Sequence, residues 1–297
     1  LVSRAASARQ ARSRTRALFK LPMIGKAAIS EQISLESDVR ELERGIERDA
    51  RVFSEMDLTL LPSDAMATTL RDARSLFERA AELWAKCGAA QLLRVVAITA
   101  LVRRGVPDVD ARIGYSLCRG APGLFGTSLA VAAEHVAAAF RRDPEATASL
   151  DDRSVRKVTD LPDGPARGAL GQMLVSYGDV AVAAVELSRP RWREDARDLL
   201  DMLKLMLARE PSAAPPASHV LADRALASLE PHLNGIERRL LRSLIDHARQ
   251  VIKLRAAVDR ISYRALALLR SVVLDVDRRL RRIDAAAGEG GAFDCSL

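Results

Sequence analysis

A chain of 297 residues with a formal net charge of +7 has room for one or two domains, and at that size about three quarters of the unfolded surface is hidden on folding. Apolar residues at 48% and charged residues at 29% exclude an intrinsically disordered chain, and aromatics at 4% exclude an extended base-stacking platform. The charge is unevenly placed: residues 1–26 carry seven basic residues and no acid, and 236–284 carry 13 basic against six acidic, so the rest of the chain is acidic. Such basic ends point to an anionic partner, nucleic acid or a membrane surface, or else to docking on the chain's own acidic body.

Arginine outnumbers lysine 40 to 6, a bias expected of a GC-rich, bacterial source. Cys87, Cys118 and Cys295 show no CxxC spacing. That predicts neither a disulfide framework nor a zinc site, and it predicts a reducing, cytoplasmic compartment, at most peripheral to an anionic surface. No cofactor is expected. The stretches 123–140 and 89–102 are apolar but carry Glu134, His135 and Arg94, so both read as buried core helices rather than membrane spans.

In chain order, residues 1–27 read as a flexible basic arm, although the same composition suits an organellar presequence. A helical body follows over 28–210. Leu35, Val39, Leu42, Ile46, Ala50, Phe53 and Met56 recur every three or four residues and predict a first helix. Ser63 opens a second, with the stripe Met66, Leu70, Ala73, Phe77, Ala80, Trp84 and Cys87, and Gly88 is placed to end it. A third runs to Arg104, and short helices are expected over 108–118 and from Thr127 or Ser128 to Arg142. Residues 144–164 read as an exposed connection with at most a short helix. Pro165 starts a helix extending to about Leu187, and Pro190 opens the next, with Trp192, Ala196, Leu199, Leu203 and Met206 as its stripe.

Pro211, Pro215 and Pro216 define a linker over 211–218. The C-terminal segment spans 219–284, and 285–297 reads as a flexible tail. In that segment Asn234 and Glu237 form a capping-box pair, and no Gly or Pro interrupts 236–284, which predicts one unbroken helix. Its positions Leu254, Val258, Ile261, Ala265, Leu268 and Val272 alternate steps of four and three, a coiled-coil-like seam suited to self-association. The fold expected is all-α, a multi-helix bundle or irregular helical array ending in this long helix.

Motifs for chemistry are sparse. Arg242 and His247, as R-x4-H on the long helix, resemble the signature of the HEPN ribonucleases, all-α proteins whose Arg and His line a dimer cleft. Ser243 follows the Arg where that family carries a polar amide or histidine. Glu194, Asp195 and Asp198 resemble a degenerate DDxxD motif of the isoprenoid diphosphate enzymes, whose carboxylates hold magnesium against a diphosphate. Arg197 competes for these carboxylates, no second acidic motif faces them, and a solvated helix face with local ion pairs is the competing account. No metal site is therefore assigned. For an anionic surface the candidates are Arg4, Arg9, Arg12, Arg14, Arg16 and Lys20 in the arm, and Arg278, Arg279, Arg281 and Arg282 at the end of the long helix.

The function that follows from these features is that of a non-enzymatic helical interaction or scaffold protein, self-associating through its long helix or recruiting a protein partner. An electrostatic binder of nucleic acid or membrane is the first alternative, and an all-α enzyme of one of the two resembled families the second.

Overall fold

The computed structural model describes residues 33–52, 58–119, 125–152, 154–183, 186–209 and 218–283. The expected arm and tail, and the expected linker apart from Ser218, lie outside them. The fold is all-α. A first helix, α1, covers 33–52, and a short 3-10 turn over Leu58–Leu60 leads to α2, Ser63–Gly105. Then come α3 (Ile113–Cys118), α4 (Phe125–Phe140), α5 (Pro144–Ser149), α6 (Pro165–Tyr177), α7 (Arg197–Ala208) and α8 (Ser218–Leu229). The last described element is α9, Gly235–Ile283, 49 residues and about 74 Å long at 1.5 Å per residue.

The start of α9 is fixed as the capping box requires. Glu237 N–H donates to Asn234 Oδ1 at 2.9 Å, and Asn234 N–H donates back to Glu237 Oε2 at 3.2 Å. Elsewhere local signals are overridden. Gly88 does not end a helix: α2 runs through it for 43 residues, because Cys87 and Ala90 continue the buried stripe on either side. A glycine ends a helix when tertiary contacts let the chain turn, and here those contacts favour going straight. In the opposite sense α6 ends at Tyr177 rather than near Leu187, and α7 begins at Arg197 rather than after Pro190. The intervening chain doubles back on itself, with Trp192 N–H donating to Val180 O at 2.9 Å and Arg193 N–H to Gly178 O at 3.0 Å.

Helices α2 and α9 form an antiparallel pair that organises the molecule. Trp84 Nε1 donates to Asp259 Oδ1 at 2.8 Å, the Arg255 guanidinium lies 4.6 Å from the centre of the Trp84 ring, and Arg255 Nη1 reaches Gln91 Oε1 at 3.1 Å. Four apolar clusters follow one another around this pair. Leu35, Val39, Leu42 and Ile46 of α1 pack on Leu83 and Cys87 of α2 and on Val258 and Ile261 of α9. Ile98 and Leu117 meet Leu229, Leu241 and Ile245. Met66 and Ala73 meet Leu269, Val272 and Val273. The fourth, centred on Phe140, Leu170, Trp192, Leu199 and Leu203, joins α4, α6 and α7, and Tyr263 of α9 packs against it. Each fully buried Leu, Ile or Phe contributes about 1.5–3 kcal/mol relative to exposure.

This packing uses the seam expected to join two copies. Val258, Ile261, Ala265 and Val272 are buried in the chain's own core, and Leu254 and Leu268 pack against it, all facing α1 and α2. By length and composition alone α2 is long and apolar enough to cross a membrane, but one of its faces is buried against α9.

Candidate functional site

An open cleft of about 810 Å³ lies where α1, α6 and α9 converge. Glu43 and Glu47, four residues apart on α1, line one wall. Arg260 and Arg264, four apart on α9, line another. Side chains four apart on a helix share a face, so each helix presents two like charges to the cavity. Among the described residues none of these four side chains makes a hydrogen bond or ion pair. Apolar side chains, among them Ile46, Ile261 and Leu174, also line the cleft, as does Tyr177.

The third side of the cleft comes from the doubled-back chain after α6. Asp179 accepts an ion pair from Arg193 Nε at 2.9 Å. Burial pushes the Asp179 carboxyl above its ordinary range, against the pull of Arg193, Arg264 and Arg191. Behind it Arg191 is wholly buried, with its pKa lowered by burial and by the nearby Arg270, and raised in part by Glu194 and Asp179. Arg270, also buried, donates from Nε to Glu194 Oε2 at 2.8 Å and from Nη1 to the Leu187 carbonyl. Through Arg270 this network ties Leu187 and Glu194 to α9.

The candidates read from sequence are distributed otherwise. Glu194 is committed to Arg270, and Asp195 accepts from Arg197 Nε at 3.0 and 2.9 Å. Burial pushes the Asp195 carboxyl up, but the hydrogen bonds from Arg197 outweigh it and the net shift is downward. Asp198 is exposed on α7. Among the described residues no group of three or more His, Cys, Asp or Glu is placed to hold a metal ion. Arg242 forms a two-pronged pair with Glu230, Nε–Oε1 2.7 Å and Nη2–Oε2 2.9 Å, and this lowers the Glu230 carboxyl. His247 Nδ1 lies 2.7 Å from the Ser243 carbonyl of its own helix. Five positions on a helix turn the two side chains about 140° apart, so α9 brings Arg242 and His247 to no common cleft.

Most of the basic cluster at the end of α9 is engaged within the chain. Arg278 and Arg279 pair with the buried Asp275 at 3.2 and 2.9 Å, and Arg281 pairs with the buried Asp277. Arg279 also donates to the carbonyls of Leu58 and Leu61. Arg282 is exposed. The basic residues Arg4 to Lys20 lie outside the described residues. Cys87 and Cys118 are buried, and burial pushes both thiols up to about 11, which suppresses the reactive thiolate.

The family model described as rifampicin phosphotransferase fourth domain matches residues 83–256. The chain belongs to this family. No curated protein matches the chain. Membership overturns the expectation of a non-enzymatic scaffold, because the rifampicin phosphotransferase fourth domain is part of an enzyme. The physical reason for the error is plain: the seam read as a self-association surface is the intramolecular packing surface of α9. The matched stretch begins within α2 and ends within α9, and it holds the whole α6 side of the cleft, with Tyr177, Asp179 and Arg193. The Glu43–Glu47 and Arg260–Arg264 walls lie outside it. Sequence reading missed these walls. Their i, i+4 spacing is visible, but nothing in the sequence says that α1 and the middle of α9 face one cavity.

Proposed function

We propose that the chain is the helical domain of a phosphotransferase, and that the cleft between α1, α6 and α9 receives the small molecule on which that chemistry acts. The observation that carries the reading is the coincidence of two things on one stretch: the family match over 83–256 and the α6 side of the cleft. A cleft of about 810 Å³ is in the size range of small-molecule sites, and this one brings charged side chains of both signs together beside apolar ones. Phosphoryl transfer asks a protein mainly for positioning and for stabilisation of charge, and guanidinium groups supply both. A domain named as the fourth of its enzyme works beside others, so the share assigned to this chain is to hold the acceptor.

Titration calorimetry of the full chain with rifampicin, the molecule in the family's name, tests the reading. Saturable binding is expected, weakened at least tenfold by Val175→Trp, which fills the cleft from an exposed position that the core does not depend on. A folded chain that gives no saturable heat, or whose binding ignores Val175→Trp, would falsify it.

A further inference from the structure

We infer that the cleft binds a phosphorylated small molecule. In this arrangement the phosphoryl group sits at Arg260 and Arg264, and hydroxyl or ammonium groups of the same molecule donate to Glu43 and Glu47. The inference rests on reading the cleft as the small-molecule site, and adds the class of molecule.

The two walls are opposite in sign and line one cavity. Within each wall the charges are alike and four residues apart, a spacing that is unfavourable on an isolated helix. None of the four side chains makes a hydrogen bond or ion pair with another described residue, and the one described acid of the cleft that Arg264 acts on, Asp179, is itself paired with Arg193. Such an arrangement gains most from a ligand that carries both complements. Two guanidiniums on one face offer paired N–H donors to the several oxygens of a phosphoryl group, the geometry for which arginine surpasses lysine. Ionised carboxylates only accept, so the opposite wall selects donors. Leu174 and the exposed Val175 also line the cleft and suit a carbon skeleton.

The remaining charges of the cleft sharpen the placement. Arg193 is already paired with the partly buried Asp179, so the guanidiniums left for a phosphoryl group are Arg260 and Arg264 of α9. Both charged walls lie outside the stretch shared with the family, so this selectivity belongs to the chain's own flanking helices.

The experiment is calorimetry of the full chain with glucosamine 6-phosphate, which carries a phosphoryl group at one end and an ammonium with hydroxyls at the other. Inorganic phosphate and glucosamine serve as single-ended probes. Glucosamine 6-phosphate is expected to bind at least tenfold tighter than either. The double variant Arg260→Gln, Arg264→Gln should weaken both phosphate-bearing probes at least tenfold. Glu43→Gln, Glu47→Gln should weaken glucosamine 6-phosphate about tenfold, the size of one charge-assisted hydrogen bond, and leave inorganic phosphate within twofold. All four positions are at least partly exposed, and circular dichroism establishes that the variants keep their helices. Absence of binding by either phosphate-bearing probe, or binding indifferent to the arginine variant, overturns the inference. Rifampicin binding with no response to phosphates removes this inference and keeps the acceptor reading. Glucosamine 6-phosphate binding without rifampicin binding does the reverse.

Discussion

Glu194 shows how much a single side chain carries when its partner is buried. Arg270 keeps only 8% of its side-chain exposure and gives its Nε to Glu194, which retains 32%. Removing one member of a fully buried pair costs about 3–5 kcal/mol because the other charge is stranded. Residual water at Glu194 reduces this, so Glu194→Ala is expected to lower stability by about 2 kcal/mol in urea unfolding, and more than the surface variant Glu82→Ala. Asp179 makes the complementary case in pH. Its folded carboxyl sits above the ordinary value, so between that value and the raised one the folded state holds more proton than the unfolded state. Stability from this group therefore falls as pH rises through the window and returns as pH falls. Asp179→Asn should flatten that slope in urea midpoints measured upward from the ordinary carboxylate range, and an unchanged slope would refute the assignment.

Two glycines in or beside α2 illustrate the same logic for an element, with opposite signs. At Gly88, within the helix, an added Cβ would approach nothing closer than Arg255 Nη1 at 4.0 Å, an ordinary contact. Gly88→Ala is expected to stabilise by about 0.5–1 kcal/mol, the usual backbone gain in a helix. At Gly114 the same Cβ would lie 2.5 Å from the Val95 carbonyl and 2.4 Å from Thr99 Oγ1, because α3 rests directly on the α2 backbone. Gly114→Ala is expected to cost about 1–3 kcal/mol by overpacking. Thermal melts of the two variants should shift in opposite directions. The pair also marks what was legible in the sequence. Helical periodicity revealed the α1 stripe and the unbroken α9, and the Asn234–Glu237 spacing revealed its start. Punctuation misled at Gly88, since a glycine signals freedom to turn and the decision lies with distant contacts. The early end of α6 was equally hidden, because it depends on backbone bonds from 192 and 193 to 178 and 180. The cleft was hidden for the same reason, being made of three helices far apart in sequence.

At the scale of the whole molecule, α9 contributes to each of the four apolar clusters, with Tyr263 reaching the one around Phe140. A break in its middle severs all of them at once. Val258→Pro removes a helix hydrogen bond and a buried side chain together, at about 3 kcal/mol or more for the proline alone. It should abolish folding at physiological temperature rather than loosen one end. The described fold should also melt as one unit. Trp84 reports on the α2–α9 contact and Trp192 on the cluster around Phe140, so tryptophan fluorescence and far-ultraviolet circular dichroism should give coincident urea transitions. Transitions that separate would show that the α4–α6–α7 cluster unfolds independently of the α2–α9 pair.

The contacts of Trp84 have a further consequence for α2 and α9. The seam of α9 repeats every seven residues, so a slip of about 10 Å along the axis would lay apolar side chains on apolar side chains again. Apolar matching alone therefore leaves several alignments of nearly equal quality. The polar links are not periodic. After such a slip, Leu266 or Ile252 would face Trp84 in place of Asp259, and Ser262 or Ala248 would face Gln91 in place of Arg255. Asp259, Arg255 and Arg279 thus act as the teeth of a rack, selecting one register from a degenerate set and fixing where Arg260 and Arg264 stand along the cleft.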